Sequence, residues 1–233
     1  MRSGDRAIFL AHRAATELTS KLDHRDQHSC AGHAFCDERA PASPTPDDIE
    51  AAARIVRAAM DVPLARDRCA AIVSATCLAV NSSDSDAREL TAAIARHRGW
   101  SESIVHLSLE ALTAPFRYKL RLKQFAHTLA PRSKLVGFVM AGNIPGAGLH
   151  ELVTALLAGC AVMIKTSTAE PIFFAHLARV IADLDPQLGA RLAVFNWPRE
   201  RADLTAAMRD ACDLLAVFGG DSTVAQLQPD DAG

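Results

Sequence analysis

From Pro131 onward, short apolar runs alternate with helix-forming stretches, and this alternation constrains the fold more than any other feature of the chain. The run 135–140 (Leu-Val-Gly-Phe-Val-Met) ends in a Gly/Asn/Pro turn, as a strand buried in a parallel sheet should. A helix is predicted over 148–158, stopped by Gly159 just past its end, and a second strand over 160–164. A second helix follows over 171–184, with Pro171 in its first turn, then a strand over 191–195. A helix over 201–211 and a fourth strand over 214–218, ending at Gly219-Gly220, complete the series. Strands and helices joined by such short loops imply right-handed crossovers and a parallel sheet, hence an α/β chain whose sheet is the expected home of a nucleotide.

Upstream the texture is different. Pro41, Pro44 and Pro46 fall within six residues, which no helix can continue through, and mark a linker. Before it, residues 7–21 suit a short helix; after it, Thr45 or Asp47 caps a helix carrying Ile49, Ala52, Ala53, Val56, Ala59 and Met60 at helical spacing. The stretch 47–128 reads as helical throughout. Cys69, Ile72, Val73, Thr76, Cys77 and Val80 form one stripe, 81–86 is a polar turn, and the pattern resumes through Leu90, Ile94, His97, Ile104, Leu107, Leu109 and Leu112. The expected division is a tail and Pro-rich linker over 1–46, a helical region over 47–128, and the partial α/β domain over 129–233.

Composition removes several classes of function. With 233 residues and 49% apolar content the chain can bury a core, so disorder of the whole chain is excluded. No run approaches the roughly 18 apolar residues of a membrane span; the most apolar stretch, 152–164, is broken by Gly159. No secretory leader is recognisable at the N-terminus, and cytoplasmic residence is the expectation. Lys and Arg number 25 against 27 acids, too few for nucleic acid to be the main partner. The six cysteines fall at irregular spacing and read as thiols.

Parallel sheets bind ligands at the carboxyl ends of their strands, so three stretches carry the functional question. In 141–146 (Ala-Gly-Asn-Ile-Pro-Gly), glycines allow close backbone approach and the Asn143 amide can donate to a developing oxyanion; a plain turn is the alternative. In 165–171, Lys165 directly follows an apolar strand, where its ammonium must reach either a polar ligand or the surface. In 218–223, Gly219-Gly220 offers backbone N–H groups at a helix start to a pyrophosphate, with Asp221 an awkward neighbour and a simple turn again the alternative.

Taken in order, these stretches resemble the aldehyde dehydrogenase superfamily, in which an Asn-x-Pro turn, an ALxxGNxxxxK…P stretch and a Phe-x-Gly turn succeed one another. Here they read Asn143-Ile144-Pro145, then Ala155-Leu156-Leu157-Ala158-Gly159 through Lys165 with Pro171 beyond, then Phe218-Gly219-Gly220. Lys165-Thr166-Ser167, Asp185-Pro186, Trp197 and Gly219-Gly220-Asp221 make the chain most similar to the LuxC-type acyl-CoA reductase branch, over about 131–227. The resemblance implies an incomplete Rossmann-like parallel-sheet nucleotide-binding domain of aldehyde dehydrogenase type, and NAD(P)H-dependent reduction of a fatty acyl-CoA or acyl thioester to the aldehyde. It implies that Asn143 is the oxyanion-hole donor, that Lys165 holds the adenosine ribose, and that Gly219 and Gly220 let the chain approach the pyrophosphate. Thr168 stands where NAD-preferring relatives carry a glutamate. A hydroxyl there removes a charge that would repel a 2′-phosphate, so NADP is the expected nucleotide and NAD the alternative.

The departures matter as much. The family reaction requires a cysteine nucleophile downstream of the Gly-Gly turn, and none of the 13 residues after Gly220 is a cysteine. The chain therefore reads as the front half of a reductase, truncated before its nucleophile. Cys69 and Cys77 read as core thiols, and neither Cys160 nor Cys212 has an adjacent base in the sequence. His24, His28, Cys30, His33 and Cys36 are zinc-type ligands, but their spacing fits no standard finger and no metal is expected. Two other readings stay open: a non-catalytic nucleotide- or partner-binding remnant, and an acylating aldehyde dehydrogenase with another substrate. A homo-oligomer or a complementing subunit is the expected protein partner.

Overall fold

The computed structural model describes residues 44–220. The helix expected over 7–21 and the His24–Cys36 cluster lie outside the described residues. Helix α1 (Pro46–Ala58) is opened by a capping box: Asp48 N donates to the Thr45 hydroxyl, and the Asp48 carboxylate accepts from Thr45 N. A short 3₁₀ turn leads to α2 (Arg66–Ala79), α3 (Ser85–Arg98), α4 (Glu102–Thr113) and α5 (Lys119–Thr128). Asp84 caps α3, which begins inside the stretch expected to be a turn, and Gly99 closes α3 in the left-handed region at φ 66°.

The sheet follows. Strands β1 (Leu135–Val139), β2 (Ala161–Thr166), β3 (Leu192–Asn196) and β4 (Leu214–Val217) are all parallel, in the order β3-β2-β1-β4. Helix α6 (Leu149–Ala158) joins β1 to β2. Helix α7 (Ile172–Leu184) and a one-turn α8 (Pro186–Gly189) join β2 to β3, and α9 (Ala202–Ala211) joins β3 to β4. The one-turn helix was not foreseen: Asp185 accepts from Gln187 N and Leu188 N and so starts a new helix at Pro186. Gly159, at φ 98°, ends α6 where the sequence placed its stop.

The strands sort their side chains by strict alternation, although their sequences are continuously apolar. Val136, Phe138, Val162, Ile164, Leu192 and Val194 face a core shared with α6 and α7; Leu135, Ala161, Met163, Ala193 and Phe195 face α1 and α9. The first core continues into the helical region, where α2 and α3 pack on α7 and where α2 and α5 pack on α6. Full burial of each large side chain contributes about 1.5–3 kcal/mol. Strand β4, at one edge, is only half-covered, with Leu214 61% exposed. Among the described residues no helix is long and apolar enough to cross a membrane.

Candidate nucleotide and oxyanion site

After β1 the chain runs to β2 on one side, while β4 pairs with β1 on the other. The carboxyl ends of β1 and β4 therefore flank the point where the sheet changes direction, the place where open parallel sheets leave a crevice. Across it Phe218 N donates to Val139 O at 2.8 Å, and the Phe218 ring stacks on Phe138 with centroids 6.5 Å apart. Gly219 and Gly220 follow directly and are exposed; among the described residues a Cβ built on Gly220 meets nothing within 4 Å. The helix expected to start beyond Gly220 lies outside the described residues.

The loop after β1 and the loop after β2 are pressed together. A Cβ on Gly142 would lie 2.8 Å from Ser167 Cβ and 2.9 Å from Ala169 Cβ, which leaves glycine as the fitting residue there. Next to it Asn143 is exposed, and among the described residues its amide has no protein partner, so its donors are free for a ligand. Ile144 beside it is 52% exposed, an apolar lip to the same loop.

Lys165 differs from its expected place. The strand runs on to Thr166, so Lys165 is a strand residue paired with Val139 and Phe195, and at 9% exposure it does not reach the surface. Its Nζ donates to Thr166 O at 3.3 Å and lies 5.7 Å from the centroid of the Trp197 ring. No carboxylate is paired with it among the described residues, and burial pushes its pKa down. A buried ammonium with one carbonyl and an aromatic face retains donor capacity that only a ligand or water can take up.

Beyond β2, Glu170 N bonds Ser167 O at 3.1 Å, forming a tight turn with Thr168 and Ala169 at its exposed tip. Glu170 itself is 2% exposed; its carboxylate accepts from Ile172 N and Phe173 N and so opens α7, while burial raises its pKa. Two residues of the helical region grip the tip: His97 Nε2 bonds Thr168 O at 3.2 Å, and Arg98 Nη1 donates to Ala169 O at 3.2 Å. Neither His97, Arg98 nor Glu170 was legible as a site residue. His97 and Arg98 sit some 70 positions upstream of the turn, and only the packing of α3 on α7 brings them there.

The thiols lie elsewhere. Cys160 precedes β2 and Cys212 precedes β4, so both sit at the amino ends of the strands, opposite the crevice. Cys69 and Cys77 are buried in the helical core, and burial pushes Cys69, Cys77 and Cys212 up to about 12 and Cys160 upward as well. Among the described residues no three His, Cys, Asp or Glu side chains are grouped to hold a metal ion.

Comparison with known proteins agrees with this arrangement. The family Acyl-CoA reductase (LuxC) matches residues 115–230. A long-chain acyl-protein thioester reductase from Photorhabdus laumondii is 28% identical over 97 residues, 40% of this chain and 20% of that protein. One from Aliivibrio fischeri is 28% identical over 90 residues, 37% of this chain and 19% of that protein. The chain thus matches about a fifth of the length of these curated relatives. In three dimensions, the NAD+ complex of an aldehyde dehydrogenase from Bacillus cereus superposes with a TM-score of 0.66 at 15% identity, covering 79% of this chain and 41% of that one. With a helical region on a parallel four-stranded sheet of aldehyde dehydrogenase type, residues 115–230 of this chain belong to the acyl-CoA reductase (LuxC) family.

Proposed function

We propose that this chain supplies the nucleotide-binding part of an NADP(H)-dependent reductase acting on long-chain acyl thioesters. The observation that carries the reading is Lys165: an ammonium buried over Trp197 at the carboxyl edge of a parallel sheet, with no carboxylate beside it among the described residues, is a donor held for a ligand. Lys165 and Thr168 would hold the ribose of an adenine dinucleotide, and the exposed Gly219 and Gly220 would let the chain approach its pyrophosphate. When bound, the reduced nicotinamide supplies the hydride. Asn143 would donate its free amide N–H to the thioester oxygen as that oxygen gains negative charge. The acyl class is inferred from the relatives named above, and Ile144 provides an apolar contact beside Asn143.

A second reading, a nucleotide- or partner-binding part with no turnover of its own, is favoured by the placement of the thiols. Acyl transfer through a cysteine needs a thiolate near the oxyanion donor, and none of the four described cysteines is at that edge or readily ionised. Titrating the chain with NADPH and NADH, followed by nicotinamide fluorescence, tests the reading. NADPH is expected to bind at least roughly tenfold more tightly, a difference of about 1.4 kcal/mol. Failure of both to bind, or tenfold tighter binding of NADH, overturns it.

A further inference from the structure

We infer that His97 and Arg98, at the end of α3, together with the Thr168 hydroxyl, form the subsite that takes the 2′-phosphate of the adenine dinucleotide. This rests on the nucleotide reading of the β2–α7 turn and names what selects the phosphorylated ribose there. Thr168 alone removes a repulsion; attraction of a phosphate dianion needs cations, and the turn itself carries none between Ser167 and Pro171. The helical region brings one, the Arg98 guanidinium, and beside it the His97 imidazole as a further hydrogen-bonding group. His97 and Arg98 bond the carbonyls of Thr168 and Ala169, so both side chains end at the exposed tip of the turn.

Arg98 is fixed as well as near. Its guanidinium carbon lies 4.6 Å from the centroid of the Trp100 ring, and its Nε is buried without a hydrogen-bond partner among the described residues. A guanidinium held over an indole has lost much of its rotamer freedom before any ligand arrives, which favours phosphate recognition. The opposing charge beside them, Glu170, is buried with its carboxylate bonded to the α7 backbone; it is close enough to interact with His97 and Arg98 but leaves the exposed tip to the ligand. The site thus draws on two parts of the sequence, a helix of the N-terminal region and a turn of the sheet.

Isothermal titration of the full chain with ADP-ribose and with its 2′-phosphate separates the possibilities, since neither ligand can be turned over. The wild-type chain is expected to bind the 2′-phosphate form at least tenfold more tightly. Arg98→Gln and His97→Gln, which can still donate to the turn carbonyls without a charge, should each reduce that preference about tenfold and leave ADP-ribose affinity unchanged. Arg98→Lys should keep most of the preference. If the glutamine variants retain the full preference, or lose both ligands in parallel, His97 and Arg98 only position the turn and the inference falls. If the wild-type chain binds both forms equally, the subsite is absent while the nucleotide reading stands. If it binds neither, both fall together.

Discussion

The Lys165 side chain separates what stability favours from what binding requires. A buried ammonium without a carboxylate costs free energy, and replacing it with an apolar residue of similar length removes that cost. Lys165→Met is therefore expected to raise the melting temperature of the ligand-free chain at neutral pH while weakening NADPH binding at least tenfold. Because the folded-state pKa of Lys165 is lowered, the wild-type chain gains stability as pH rises through the folded value toward the ordinary lysine value, and the variant loses that gain. Melting curves at several pH values, beside nucleotide titrations, check both parts; a fall in stability would show that Lys165 is held for structure. Gly142 tests the neighbouring loop. Gly142→Ala places a Cβ against Ser167 and Ala169, and an overpacking cost of about 1–3 kcal/mol in denaturant unfolding is expected, with weakened nucleotide binding as the two loops part.

Among the elements, α3 and α7 are joined by charge as well as packing. Arg179 on α7 pairs with Asp86 on α3 and donates toward His176 Nδ1 at 3.3 Å, a bond that requires that nitrogen to be unprotonated. His176 is mostly buried, and its pKa falls to about 4, chiefly through burial and then through Arg179, against the opposing pull of Asp86 and Asp84. Between the ordinary value of 6.5 and about 4, the unfolded chain binds a proton that the folded chain does not, so stability falls as pH drops through that window. Urea titrations at steps of pH should show this slope, and His176→Gln should flatten it; an unchanged slope would place the titrating group elsewhere. The same contact carries His97 and Arg98 to the β2–α7 turn, so loosening it should also weaken nucleotide binding.

At the scale of the whole molecule, α1 is tied across the amino edge of the sheet. Arg57 donates to Asp213 at 2.9 Å and to Ala211 O at 2.8 Å, and the same Asp213 carboxylate accepts from Leu135 N at 2.7 Å. Arg57 holds the Asp213 pKa below the usual carboxylate range, so its stabilising contribution is present above about 3.8 and is lost as pH falls through the folded value. Asp213→Ala leaves the Leu135 N–H without its acceptor and is expected to cost about 1–3 kcal/mol, with faster amide exchange in α1 and at the start of β1. Four parallel strands, their order of appearance, the stop at Gly159 and the loops holding Asn143 and Gly220 were legible in the sequence, whereas Lys165, expected just beyond its strand, lies within it. Apolar runs, glycines and prolines are local signals, written within a few residues of the structure they specify. Cys69 and Cys77 were legible as core thiols, but the burial of Lys165 over Trp197 and the grip of His97 and Arg98 on the Thr168 turn were not. Each depends on which elements pack together, and residues tens of positions apart carry no local mark of meeting, so only the tertiary structure decided them.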